Sequence, residues 1–220
     1  MKCMLCGETH SARQTFSELF FIQMRKEQVC PDCMMSFKRI PAQHCTRCYK
    51  ADSQEVCPDC KKWEEKGVII RHCSLFQYKD AMKSYFSRYK FEGDYLLRHA
   101  FATELRQALM NYKGYTLVPI PVSKEREEER GFDQVTGLLE AAGCAYAELL
   151  GKVDSPKQSE KTRQERLLAK QTFYLLENIT IPSKILLIDD IYTTGATLEL
   201  AKQAILKAGK KEIKTFSLAR

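Results

Sequence analysis

Apolar positions fall into a clear order from about Val68 onward. "VIIRHCSLFQY" (Val68 to Tyr78) is rich in β-branched and aromatic residues and predicts a long strand or a strand pair. "KDAMKSYFSRYKF" and "DYLLRHAFATELRQALMNY" then place apolar residues at helical spacing, with Gly93 and Asp94 between them as stop and cap. "YTLVPIPV" predicts a buried strand ended by Pro119 and Pro121, and "FDQVTGLLEAAG" a helix. After a polar segment come the short apolar run "TFYLL", the strand "KILLID", the helix "TLELAKQAILKAG" with Gly209 at its end, and "IKTFSLA". Strands that alternate with helices predict an α/β domain, residues 67–220, built on a mostly parallel sheet flanked by helices. In such sheets ligands bind beyond the carboxyl ends of the strands.

The first 66 residues follow another logic. Eight of the ten cysteines lie there as four C-x-x-C pairs: Cys3/Cys6, Cys30/Cys33, Cys45/Cys48 and Cys57/Cys60. No basic start leads into an apolar core at the N-terminus, and no apolar run reaches the roughly 18 residues of a membrane span, so a cytoplasmic protein without a membrane span is expected. In that compartment thiols point to zinc rather than disulfides. Each knuckle presents two sulfurs to one ion, so four knuckles make two four-thiolate zinc sites in a small ribbon-like module, residues 1–66. A redox role needs one such pair, not four in tandem. Sequential pairing is the simplest, and an interleaved pairing satisfies the same count. Closed all-thiolate sites leave no open coordination position, so the expected role is structural. Cys73 and Cys144 stand alone and read as neutral thiols.

Zinc also changes the charge argument. The formal charge is +7, and two zinc ions on eight thiolates (+4 − 8) bring it to about +3. Local clusters must therefore carry any case for nucleic acid. "FKRIPAQHCTRCYK" mixes bases with aromatics. Lys152, Lys157, Lys161, Arg163, Arg166 and Lys170 place six positive charges in 19 residues, half of them offset by Asp154, Glu160 and Glu165.

The densest chemistry lies in "ILLIDDIYTTGATL", Ile185 to Leu198. Four apolar residues run into Asp189 and Asp190, a small-residue turn follows, and Thr197 begins the next helix. Backbone N–H groups at such a turn bind phosphate. Gly195 and Ala196 allow close approach, and Thr193, Thr194 and Thr197 add hydroxyl donors. Two adjacent carboxylates repel a phosphate but accept hydrogen bonds from a vicinal diol. The pattern therefore predicts a sugar phosphate, its phosphate on the turn and its ribose hydroxyls on the two acids. No G-x-x-x-x-G-K-[ST] occurs, which removes a P-loop ATPase.

Those residues resemble the phosphoribosyl pyrophosphate (PRPP) signature of type I phosphoribosyltransferases. "VPIPVSKEREEERGFDQV", "RYKFEGD" and "KQSEKTRQER" extend the resemblance over almost the whole chain to the ComF family, which joins a cysteine-rich zinc module to a phosphoribosyltransferase domain. The resemblance implies a pyrophosphate loop over Pro119 to Ser123, including Pro121. It also implies a flexible charged loop in which Arg126, Arg130 and Gly131 meet anions. Lys90 is a further anion-site candidate, and Mg²⁺ is expected to accompany PRPP. Gln158 and Arg166 match the family's polar stretch. The family more often has an asparagine shortly after that arginine, and Leu167 to Gln171 offers none. Purine-specific relatives often carry an aspartate where Thr193 stands, and a threonine is no general base near neutral pH. The catalytic residues and the acceptor therefore stay unassigned.

Three functions compete. By resemblance, the first is a competence protein that handles incoming single-stranded DNA in natural transformation. Its implied partners are the competence helicase ComFA and the recombination mediator DprA. The second is a metabolic phosphoribosyltransferase that displaces pyrophosphate from PRPP with a nitrogen nucleophile. The third is a scaffold whose sugar-phosphate site only senses or stabilises.

Overall fold

The structure, a computed structural model, describes residues 2–9, 29–53, 55–153 and 172–220. The positions Asp154, Lys157, Gln158, Glu160, Lys161, Arg163, Glu165, Arg166 and Lys170 lie outside them. A four-stranded sheet organises the chain in the order β1-β6-β5-β2, with β1 at His72–Phe76, β2 at Thr116–Pro119, β5 at Lys184–Ile191 and β6 at Glu212–Ala219. Every pairing in it is parallel. A separate antiparallel pair joins β3, Leu150–Lys152, to β4, Phe173–Leu175. No helix among the described residues is long and apolar enough to cross a membrane.

Pleating of the central strand β5 divides the interior. Leu186 and Ile188 face a core shared with Phe216, Leu218 and the helices α3 (Asp80–Phe91), α4 (Ala102–Leu109) and α6 (Gln134–Ala141). Ile185 and Leu187 face a second core with α7 (Ala196–Leu206), Val118, Ile120 and Phe173. The short helix α5 (Lys124–Arg130) links β2 to α6, whose start is fixed by Asp133: its Oδ1 accepts from the backbone N–H of Val135 and of Thr136.

Three elements depart from the sequence reading. The helix expected over Asp94 to Tyr112 is a 3₁₀ turn at Tyr95–His99, the α-helix α4, and a second 3₁₀ turn at Met110–Tyr112. Asp94 does not cap it through its side chain; its carboxylate binds Arg88 at 2.7 Å instead. The charged segment "KEREEER", expected as a flexible loop, is α5, closed by Gly131 in the left-handed region at φ 79°. β5 runs on to Ile191, so both acids belong to the strand.

The cysteine-rich segment is welded to the sheet. Two short helices, α1 (Pro31–Met35) and α2 (Pro58–Glu64), each begin at a C-x-x-C pair. The backbone around residues 38–47 follows the β1 edge: Ile40 N donates to Leu75 O at 2.9 Å, and Gln77 N to Lys38 O at 2.8 Å. That covers an edge which would otherwise present open donors and acceptors. Phe37, just after α1, enters the first core and meets Phe101 edge-on at 4.8 Å, with Phe76 and Tyr85 at 6.4 Å.

Candidate functional site

The eight knuckle cysteines gather into two groups, Cys3, Cys6, Cys30 and Cys33 in one and Cys45, Cys48, Cys57 and Cys60 in the other, with all ligand atoms of a group within 4.8 Å. This is the sequential grouping. Sulfur separations include 3.9 Å for Cys6–Cys30, 3.9 Å for Cys45–Cys60 and 3.5 Å for Cys48–Cys57. A tetrahedral ion with Zn–S bonds of about 2.3 Å holds its sulfurs about 3.8 Å apart, so the groups fit zinc. They do not fit disulfides, whose sulfurs lie at about 2 Å. Backbone N–H groups already point at the sulfurs, Cys30 N at Cys3 Sγ (3.3 Å) and Cys57 N at Cys45 Sγ (3.2 Å). Such donors favour thiolates. The second group is buried throughout, whereas Cys6 in the first is exposed.

The second feature is a cleft of about 280 Å³ at the carboxyl end of the sheet. Asp189, Asp190, Thr193 and Thr197 line it from β5 and the turn after it; Pro121, Arg126 and Arg130 line it from the β2–α5 region, and Lys90 from α3. Of the residues predicted for the sugar phosphate, Ser123, Thr194, Gly195 and Ala196 do not line it. Ser123 precedes α5, Thr194 and Gly195 form the adjoining rim of the turn, and Ala196 begins α7. Gly195 sits at φ 83°, and a Cβ there would lie 2.3 Å from Tyr192 Oη. Glycine is thus required by the backbone and by the ring of Tyr192, before any ligand is considered.

Alternation along β5 carries Asp190 to the same face as Leu186 and Ile188, toward α3. Lys90 meets it there in an ion pair with side chains only 15% and 11% exposed. The strand end is thus withdrawn from solvent, with Asp190 buried and Asp189 half-buried. Lys90 is not a solvated helix lysine, because its ammonium lies over the Phe86 ring at 4.8 Å and pairs with Asp190. Asp189 Oδ1 accepts from the Asp190 backbone N–H at 2.9 Å. Burial first, and then the neighbouring Asp190 charge, push the Asp189 carboxyl up to about 8.

Sequence reasoning missed several groups of the cleft. Lys152 on β3 counted only toward a basic cluster, yet it lines the cleft, and burial, followed by the Arg126 charge, lowers its pKa. Burial does the same to Arg130, again with Arg126 as the next cause. Desolvated cations that crowd each other are stabilised by an anion between them. Gln134 is 2% exposed, and its Nε2 has no hydrogen-bond partner among the described residues. It lines the same cleft, so a buried donor is available for a ligand oxygen. The signal for Gln134 was its place next to the capping Asp133; Lys152 gave none, because β3 and the end of β5 line one cleft only in the folded chain.

The chain has known relatives. Residues 101–220 match the family described as the phosphoribosyl transferase domain. The chain is similar over its full length to the competence protein ComFC of Streptococcus pneumoniae, with 47% identity and all of both chains covered. It is 37% identical to the competence protein ComFC of Bacillus subtilis, over 99% of this chain and 94% of that one. Competence protein F of Haemophilus influenzae is 25% identical over 100% and 96%.

Proposed function

Because this chain belongs to the ComFC family of competence proteins and carries a phosphoribosyltransferase domain, we propose that it is a cytoplasmic DNA-uptake factor that binds PRPP and single-stranded DNA. The observation that supports the ligand most is the cleft itself, where two acids stand beside Lys90, Arg126, Arg130 and Lys152. A ribose diol has acceptors in Asp189 and Asp190. The helix start at Ala196 offers N–H groups without intrahelical partners to the 5-phosphate. Arg126, Arg130, Lys152 and Gln134 Nε2 supply donors for the pyrophosphate. Mg²⁺ bound with PRPP neutralises phosphate charge, and this chain's donors for it are the two carboxylates. Two structural zinc ions occupy the cysteine groups in this reading.

Since Lys90 depends on Asp190, truncation to alanine would leave a buried cation unpaired, so the amide is the cleaner probe. Asp190→Asn is expected to weaken PRPP about tenfold or more and ribose-free pyrophosphate less than about threefold, measured by titration calorimetry on folded protein. Equal affinities for parent, Asp189→Asn and Asp190→Asn would refute the sugar-phosphate assignment.

DNA handling rests on the names of the relatives and on the basic residues of the chain. Binding to a single-stranded oligonucleotide is expected to fall at least about tenfold between roughly 50 and 200 mM salt if several phosphates are neutralised. A salt-insensitive or strongly sequence-specific affinity contradicts it. ComFA and DprA are the partners to test by co-purification. The phosphoribosyltransferase domain also supports a transfer reaction, and pyrophosphate release across a panel of nucleobases separates an enzyme from a binding protein.

A further inference from the structure

The outer carbonyls of the 193–195 turn are held by residues far from it in sequence. Trp63, on α2 of the second cysteine group, donates from Nε1 to Thr194 O at 3.0 Å. Arg220, after β6, donates from Nη1 to Thr193 O at 2.8 Å, while its Nη2 lies 3.0 Å from Cys48 Sγ. The guanidinium also covers the Tyr192 ring at 4.5 Å, and that ring lies directly under Gly195. Only 6% of the Arg220 side chain is exposed, and the nearest side-chain carboxylate among the described residues, on Asp59, is 4.0 Å away and already bound to Lys50 at 2.8 Å.

A charged guanidinium so deeply buried needs an anion in contact with it. Coordination to a metal fixes Cys48 as a thiolate and supplies that anion. The contact from α2 depends on the same group, because Cys57 and Cys60 bracket the start of the helix that carries Trp63.

We infer that Arg220 and Trp63 are positioning residues through which the second four-cysteine group sets the phosphate turn, so that metal loading there and sugar-phosphate binding are linked. This rests on the sugar-phosphate reading of the cleft. Linkage is reciprocal: whatever factor the metal adds to ligand affinity, the ligand returns to the metal.

Two measurements on the full, metal-loaded chain test this. In the first, PRPP is titrated into the parent, into Trp63→Phe, which keeps an aromatic side chain and removes the indole N–H donor, and into Arg220→Met. Each variant is checked for two metal ions by elemental analysis. Affinity is expected to fall about threefold in Trp63→Phe and about tenfold in Arg220→Met. In the second, metal release from the parent to a colorimetric chelator is followed with and without saturating PRPP. Release of the slower ion is expected to slow with PRPP in the parent and to lose that response in Arg220→Met. If Arg220→Met does not fold, Trp63→Phe and the parent's release rates still decide the matter. Parent-like PRPP affinity in metal-loaded variants, or release rates indifferent to PRPP, overturn the inference while an intact Asp190→Asn effect leaves the sugar-phosphate site standing. A parent that binds no PRPP overturns both.

Discussion

Stripping metal from the second cysteine group is expected to lower the midpoint of thermal unfolding by about 10–20 °C, which corresponds to roughly 5 kcal/mol at this chain length. The helices α1 and α2 span only 5 and 7 residues, far below the length at which a helix persists alone in water. Cys45, Cys48, Cys57 and Cys60 are at most 2% exposed and form part of the same core as Ile70, Val118 and Tyr192. Without an ion, four buried sulfurs lose the bonds that bring residues 45–60 together, and α2 loses its anchor. The first group is different, because Cys6 is exposed and Cys33 is half-buried. A chelator is therefore expected to take one ion early with a small change in the midpoint and the other late with the large one. Calorimetric scans at each stage, followed by re-addition of zinc, check this. An unchanged midpoint after both ions have left contradicts it.

Phe37→Ala is expected to destabilise the whole chain by about 3–5 kcal/mol. The residue belongs by sequence to the cysteine-rich segment but is 6% exposed inside the first core. Its ring stands perpendicular to Phe101 at 4.8 Å and edge-on to Tyr85 at 6.4 Å, so its removal costs both transfer energy and aromatic contacts. The cavity would open among α3, β1 and the residues before α4, which cannot close on it without moving the sheet. Met35, two residues earlier and 75% exposed, is the control, and its change to alanine should stay within about 0.5 kcal/mol. Denaturant unfolding measures both. A loss below about 1 kcal/mol for Phe37→Ala would show that the cysteine-rich segment and the sheet are energetically separate.

The parallel α/β architecture was legible because its signals are local. Runs such as "KILLID" alternate with helical spacing and are punctuated by Pro119, Pro121, Gly93 and Gly209, and each of these acts through its own backbone. The C-x-x-C spacing likewise specifies two sulfurs per knuckle within four residues. The acids followed by a threonine-rich turn were readable for the same reason: strand end, turn and helix start are contiguous in the chain. Where local signals compete, the reading failed. "KEREEER" carries charges that suit a loop, yet a good helix-forming composition and Gly131 made it α5.

What lies around those acids was decided by the tertiary structure alone. The ion pair of Lys90 with Asp190 spans α3 and β5, and the contact of Arg220 with Cys48 joins residues 172 positions apart. Neither spacing leaves a periodic mark. Burial is equally invisible in sequence: "DD" reads as a pair of solvated acids until β5 proves central and the pleat turns Asp190 under α3. Periodicity and spacing determine which elements form and which groups they carry. The depth at which a charge is placed, and which distant charge answers it, depend on how the layers stack, because desolvation and Coulomb attraction act through space rather than along the chain.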